Sequence, residues 1–462
     1  MQFTSSYVYS GTAFSGDPEM VACAEAGETL IGNCDQLTVC VVEGSTTKTV
    51  VMDHLDGLTT NLVSSHAIEA LVTGECNVMA GDTISLYTEQ EVREAGYTGE
   101  YIIGSKLLSK EPLSMVTRGN DPEFADFVQW TLNALLAAEV MNITQETAEE
   151  FPTTDLFGPQ YRKMSSHAIS AVGNFGELYE RHFKGALAGG RTSLVTLSDD
   201  VKSKSGLQSG LQFAPPFGNL DIEEVLDKDL PSAVVNGTIE AIENRNYLQC
   251  AVLVSRPWLN IEDDLASGID VEFCRALTAA MFKGNVSSSQ LQIVAVATLE
   301  EGFDALNSGN VDVFASTPYT MTNDVKEPST GMGFTLSPPY FYGRETSEID
   351  GRMVLTGYSL ATRQDDSQWS DFVRWAVWST IHAEEIDVES PGLGASDLLP
   401  TVDLFGPNYV HSFRYVNLAV GHYGEMYQRS QEEFIPREDF GGYNQLSQGG
   451  PLLKPWLSSF FM

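Results

Sequence analysis

The chain has 462 residues, room for two to four compact lobes at roughly 100–200 residues per domain. Its 26 basic and 63 acidic side chains leave a formal charge of −37, which repels phosphate backbones and anionic membrane surfaces and argues against nucleic acid as a partner. No apolar run reaches the roughly 18 residues of a membrane-spanning helix; the longest candidate, Trp130 to Met141, is interrupted by Asn133 and Glu139.

The opening MQFTSSYVYSG has neither a basic n-region nor an apolar h-region, so it is not a secretory signal. Six cysteines, an even number, and Asn-x-Ser/Thr triplets at Asn142, Asn236 and Asn285 nevertheless suggest an exported protein, as a mature form or a fragment. LTVCVVEG predicts a strand, and the Ser45-Thr46-Thr47 turn leads into a helix. AIEALVTGECNVMAG follows as helix, turn and strand, then a helix over Ser85 to Ala95 and the strand YIIGS. ADFVQWTLNALLAAEVM places Phe127, Trp130, Ala134, Ala137 and Met141 on one helical stripe. SSHAISAVGNFGELYERHF predicts a single second helix, whose Gly173 and Gly176, at about 1 kcal/mol each against alanine, would serve close packing. Residues 185–210, rich in Gly, Ser and Lys, predict a loop or linker.

YLQCAVLVS at Tyr247 to Ser255 then predicts a buried strand. IDVEFCRALTAAMF is a helix with Val271, Cys274, Leu277, Thr278 and Met281 on one face, LQIVAVA a second strand, and LEEGFDALNSGNVDVFAS a helix, turn and third strand. Such strand–helix alternation predicts α/β lobes with parallel strands.

An internal repeat organises the rest. DLFGPQY at Asp155 returns as DLFGPNY at Asp403, and AVGNFGELYER at Ala171 returns as AVGHYGEMYQR at Ala419, both displaced by 248 residues. DFVQW at Asp126 returns as DFVRW at Asp371, displaced by 245, whereas FTSSYVYSG at Phe3 pairs with FTLSPPYFYG at Phe334, displaced by 331. The second copy therefore lacks a block of 86 residues present in the first. The expected division is an α/β segment over 1–112, a helical tail over 113–218, a linker over 219–239, a second α/β segment over 240–345 and a second tail over 346–462. The first tail is expected to complete a fold built from the two α/β segments, leaving the second redundant.

GIDVEFCRALTAAMF, LEEGFDALNSGNVDVFASTPYTMTND and FTLSPPYFYG resemble lobe 1 of the periplasmic polar-amino-acid-binding proteins of ABC transporters, most of all the general L-amino-acid-binding branch of bacterial solute-binding family 3. LTVCVVEGSTTKT, TGECNVMAGDTISL and IIGSKLLSKEPLSMVTRGNDPEFADFVQWTLNAL resemble lobe 2 and the return to lobe 1, and AVGNFGELYERHF and GLQFAPPFG that branch's C-terminal region. The resemblance implies an α/β, two-lobed, type II Venus-flytrap fold, here circularly permuted or left from a partial tandem duplication. It implies an extracytoplasmic protein, periplasmic or secreted, that binds an amino acid or similar small polar solute without chemistry or cofactor and delivers it to an ABC permease.

By the same resemblance, Asp82 would accept the ligand ammonium, and Ser45, Thr46 and Thr47 would hold its carboxylate at a helix N-terminus. Ser316, Thr317 and Thr320 would contribute from lobe 1, with Trp258 as a cleft wall. The family's carboxylate-clamping arginine falls at Asn323, and losing a buried charge partner commonly costs about 2–5 kcal/mol. Arg256 would substitute for it from the opposite loop. Family position suggests pairs Cys250–Cys274, Cys40–Cys76 and Cys23–Cys34, although sequence alone fixes no pairing. Two further readings compete: a degenerate, non-transporting recognition module, and an enzyme like the cyclohexadienyl dehydratases of this fold. No His cluster or Cys-x-x-Cys suggests a metal site.

Overall fold

The computed structural model describes residues 2–27, 34–55, 61–64, 67–109, 111–183, 237–262, 265–325, 333–346, 353–389, 399, 401–402, 404–438 and 442–446. The expected linker at 185–210 and the Asn236 triplet lie outside these residues; Asn142 and Asn285 are both exposed. In chain order come β1 (Gln2–Phe3), β2 (Val8–Ser10), β3 (Thr12–Gly16), α1 (Pro18–Ala26), β4 (Thr38–Val41), α2 (Thr46–His54), β5 (Asn61–Ser64), α3 (Ala67–Thr73) and β6 (Val78–Asp82). Next are α4 (Glu89–Glu94), β7 (Ile102–Ile103), β8 (Glu111–Leu113), β9 (Val116–Thr117), α5 (Pro122–Val140), α6 (Met164–Val172) and α7 (Phe175–His182). These elements, with residues 237–446 below, divide between two compact units.

One unit holds residues 5–114 with α7. Its five-stranded sheet runs β5-β4-β6-β3-β7, with β4 parallel to both β5 and β6 and β3 antiparallel to β6. The period of two sorts the strands between two cores. Val39, Val41, Val78 and Ala80 pack with Phe14 and Val51 on one face, while Cys40 and Met79 pack with Leu71, Val92 and Tyr101 on the other. The helix expected over 85–95 is shorter, because Thr88 caps it through a reciprocal bond with Glu91 and the residues before it form a turn.

The other unit holds residues 2–4, 115–174 and the described residues from 237 onward. After α8 (Thr238–Arg245) come β10 (Leu248–Leu253), β11 (Asn260–Glu262), β12 (Leu265–Ser267), α9 (Ile269–Met281), β13 (Leu291–Val296), α10 (Leu299–Asn307), β14 (Val313–Pro318) and α11 (Met321–Asp324). The chain continues through β15 (Phe334–Leu336), β16 (Phe341–Thr346), β17 (Met353–Arg363), α12 (Ser367–Glu385), α13 (Ser412–Val420) and α14 (Tyr423–Ser430). Helix α8 begins inside the expected linker, and its Thr238 N–H is held by Asp366 Oδ2 at 2.6 Å. The sheet runs β13-β10-β14-β17-β15, with β16 also on β17; β10 is parallel to β13 and β14, and β17 is antiparallel to its partners.

The second tail is not redundant. Trp369, Phe372, Val373, Phe413, Val416, Tyr423, Met426 and Tyr427 from α12, α13 and α14 share one core with Cys250, Val252, Val313 and α9. Each such side chain contributes about 1.5–3 kcal/mol on burial, and together they complete this lobe, the task expected of the first tail. Opposite expectation again, α6 and α7 are separate helices. Gly173 ends α6 at φ 83°, its N–H bonded to Ile169 O, and Gly421 ends α13 at φ 79° in the second copy. Left-handed backbone is cheap only for glycine, so these residues break helices where close packing was expected.

The repeat extends to strand register. Val8 pairs with Leu113 and Ser10 with Glu111 in β2–β8, and Phe341 pairs with Tyr358 and Gly343 with Thr356 in β16–β17, so that the structural match of the first strand is displaced by 333 residues, two more than the expected 331. Asp121 and Asp366, also matched, cap α5 and α12 by accepting from Phe124 N and Trp369 N. All three suggested disulfides are present: Cys23–Cys34, Cys40–Cys76 and Cys250–Cys274, with Cα separations of 5.6, 5.8 and 6.0 Å. Among the described residues no helix is long and apolar enough to cross a membrane.

Candidate functional site

In open α/β sheets, ligands lie beyond the carboxyl ends of the parallel strands. The candidate residues of each unit fall there. In the first unit, Ser45, Thr46 and Thr47 follow β4 and start α2, while Asp82 is the last residue of the adjacent β6. Ser45 stands at the N-cap but makes no side-chain cap bond; its hydroxyl donates to Val42 O at 2.7 Å. The first turn of α2 thus has no N-cap side-chain acceptor, which favours an anion there. Thr46 is exposed and Thr47 buried.

Asp82 does not cap the next helix, since Thr88 does. Its Oδ1 is buried without a hydrogen-bond partner. Burial is the first cause that raises its pKa above the usual carboxylate range, and the adjacent Glu111 carboxylate is the second. Glu111 in turn accepts from Ser109 Oγ at 2.6 Å. Glu111 was not among the expected site residues; only the β2–β8 pairing that sets it opposite Ser10 brings it near Asp82.

In the second unit, Arg256 and Trp258 follow β10, and Ser316, Thr317, Thr320 and Asn323 lie on the end of β14 and the loop and short helix after it. These side chains are largely committed within the lobe. Trp258, only 5% exposed, donates Nε1–H to Asp270 Oδ2 at 2.9 Å and packs its ring edge-on against Phe341 and Tyr358. The Ser316 hydroxyl donates to the same Asp270 oxygen, and Tyr340 OH donates to Asp270 Oδ1 while accepting from Ser316 N at 2.9 Å. Burial pushes the Tyr340 hydroxyl pKa well up, so it stays a donor. This network holds Ser316 at φ 64°, a left-handed conformation costly for a serine.

Thr317 is fully buried, its hydroxyl donating to Phe314 O at 3.3 Å. Thr320 caps α11 by accepting from Asn323 N at 3.3 Å. Asn323 turns its Nδ2 onto Pro318 O at 2.9 Å, within its own loop. Arg256 lies over the Tyr358 ring at 4.4 Å and donates to Ser316 O at 3.2 Å, so the lobe keeps a guanidinium beside the loop. Asp270 and Tyr340, which organise the loop, went unrecognised in the sequence; the signal was a pair of acids, Asp270 and Glu272, alternating with the buried Ile269, Val271 and Phe273 at the start of α9.

No protein-family model matches the chain. It is 28% identical over 243 residues to YhdW of Escherichia coli K12, named for amino-acid ABC transporter binding, covering 47% of this chain and 65% of that protein. It is 26% identical over 206 residues to the glutamate/glutamine/aspartate/asparagine-binding protein BztA of Rhodobacter capsulatus, covering 40% and 58%. It is 28% identical over 203 residues to the general L-amino acid-binding periplasmic protein AapJ of Rhizobium johnstonii, covering 38% and 56%. The match therefore spans less than two thirds of each of these relatives. Among solved structures, a periplasmic binding protein from Brucella ovis with glutathione bound shares 26% identity over 40% of this chain and 63% of its own, at a TM-score of 0.33. Over the matched stretches, the chain is homologous to curated amino-acid-binding proteins of ABC transporters.

Proposed function

We propose that the chain is an extracytoplasmic solute-binding protein that takes an amino acid or a similar small polar solute for ABC-type uptake, in the periplasm or outside the cell. The observation that carries this reading is the gathering of the candidate side chains past the carboxyl ends of the parallel strands in both units. Asp82 supplies a half-buried acid for an ammonium, and the open first turn of α2 with Ser45, Thr46 and Thr47 supplies donors for a carboxylate. In the second unit, Ser316, Thr317, Thr320 and Trp258 shape their own loop rather than donate freely, because their polar groups are engaged within the lobe. The curated relatives are named as binding proteins, which supports a role without catalysis.

The test is a thermal-shift screen of the full chain against the common amino acids. A ligand at about 100 times its Kd stabilises the bound unit by about 2.7 kcal/mol, a rise of about 5–11 °C at about 2–4 °C per kcal/mol. Asp82→Asn should abolish the shift. If none of the amino acids shifts the transition, capture is refuted and the degenerate recognition module takes its place, a reading favoured by the Asn323 amide being turned onto its own loop.

A further inference from the structure

The second tail is closed by its lobe, and the repeat sets the first beside it position by position. Trp369, Phe372 and Val373 of α12 match Phe124, Phe127 and Val128 of α5 at the displacement of 245. On α12 all three are buried in one core with Ile239, Ile242 and Leu277. On α5, Phe124 is 52% exposed where Trp369 is 1% exposed, and Phe127 and Val128 are half-buried. The DLFGP block repeats the contrast. Tyr161 is 47% exposed, whereas the matching Tyr409 is 4% exposed and donates its hydroxyl to Glu243 Oε1 at 2.6 Å.

The uncovered side is nonetheless built like the covered one. Phe127 stands edge-on to Phe157 and Tyr161, 5.3 Å from each, as Phe372 stands edge-on to Phe405 and Tyr409 at 5.1 and 5.5 Å. At about 100° per residue, Phe124, Phe127 and Val128 share one side of α5, opposite Asp126 and Trp130. That opposite side is fixed: Trp130 donates Nε1–H to Asp324 Oδ2 at 3.0 Å, and Asp126 accepts from Gln364 Nε2 at 2.6 Å. The helix is thus held by the side away from its aromatic stripe. Strand β9 is open too. Its exposed Val116 pairs with Phe3 as the matching Ala361 pairs with Leu336, but Ala361 also pairs on its other edge with Phe314 of β14. Among the described residues β9 has no strand on that edge. An unpaired edge accepts a further strand through its free N–H and C=O groups.

We propose that this side of the first tail docks an α/β segment of the lobe 1 type carried by a partner chain. That segment would lay a strand like β14 along β9 and helices like α8 and α9 over Phe124, Phe127 and Tyr161, with an acid in the place of Glu243 to accept from the Tyr161 hydroxyl. The chain itself identifies the occupant, because residues 237–318 close the matching surface of the second tail. A second copy of the chain does not supply it. Among the described residues each chain has one such segment for two tails, and its own second tail covers it. Two copies together would still leave two tails open. Phe124 and Tyr161 are the anchors: a large aromatic set in a cluster that is already formed loses little freedom on binding and buries much apolar surface. Docking of this kind does not depend on whether a solute binds.

The probe is a duplicate of the chain's own residues 237–333, tethered ahead of Gln2 in the full chain so that its effective concentration is high. It stands in for the partner's segment and enters β1 as residues 237–333 enter β15. Amide hydrogen exchange at Val116 and Thr117 should slow by about tenfold or more against the unextended chain. Phe124→Asp in the extended chain should restore the faster exchange. Exchange that the extension leaves unchanged, or that Phe124→Asp leaves slow, overturns the proposal. Two measurements on the unextended chain test it independently. Phe124→Asp should leave the urea midpoint where it is while Trp369→Asp lowers it; an equal fall in both means that the stripe is already covered and overturns the docking surface. Sedimentation velocity should give a monomer. A dimer that Phe124→Asp disperses would make a second copy the occupant, against the proposal.

Discussion

Consider replacing Asp270 by Asn. The carboxylate accepts three hydrogen bonds with no solvent exposure: from Trp258 Nε1 and Ser316 Oγ at one oxygen and from Tyr340 OH at the other. The asparagine oxygen can keep the first two, but its amide then points N–H at Tyr340. Tyr340 already accepts from Ser316 N at 2.9 Å, so its own proton is left without an acceptor. A lost charge-assisted bond is worth about 1.5–3 kcal/mol and an orphaned buried donor about 1–3 kcal/mol. Allowing for relaxation, Asp270→Asn should cost the second unit about 2–4 kcal/mol. Asp270→Ala should cost more, since it strands all three donors and leaves a cavity. Urea unfolding followed by tryptophan fluorescence measures both. Because the same network holds Ser316 left-handed, amide hydrogen exchange at 314–320 should quicken in either variant. An Asp270→Asn cost below about 1 kcal/mol, with exchange unchanged, would refute the claim that the network shapes the loop.

Removing the 36-residue cross-link by Cys40→Ala with Cys76→Ala should destabilise the first unit by about 3.8 kcal/mol on loop-closure entropy, measured as a lower urea midpoint. Gly302→Ala in α10 would drive a methyl to 2.3 Å from the Phe314 ring, which is buried against Phe303, and should cost about 1–3 kcal/mol by overpacking. Asp82→Asn should raise the stability of the first unit at neutral pH and flatten its pH dependence. The raised folded-state value means that stability is fully present only below the unfolded value and declines as pH rises through the folded one. Urea midpoints at pH 5 and 8 for the parent and the variant check this.

Much of the architecture is legible in the chain. Alternating Val39, Cys40 and Val41 mark a strand buried on both faces, and the identical DLFGP and AVG blocks mark a repeat that the pairing of Val8 with Leu113 and of Phe341 with Tyr358 bears out in space. Which tail completes which lobe was not legible. Both tails carry the same apolar stripe, and the decision falls to β17, which runs antiparallel to β14 and delivers α12 directly onto α9. The break at Gly173 was hidden because glycine within an apolar helical pattern fits either a close contact or a left-handed stop. Asp270 was hidden because hydrophobic periodicity does not register an acid whose partners lie 12, 46 and 70 residues away.

The hairpin of β16 and β17 bears on how such a chain can be re-engineered. In the first copy the equivalent strands β2 and β8 are separated by a whole α/β unit, whereas in the second only residues 347–352 intervene, yet the pairing register is the same. That connection is thus a splice point: grafting residues 11–110 into it should leave the host sheet intact, because the register on either side is already the one that flanks the α/β unit in the first copy.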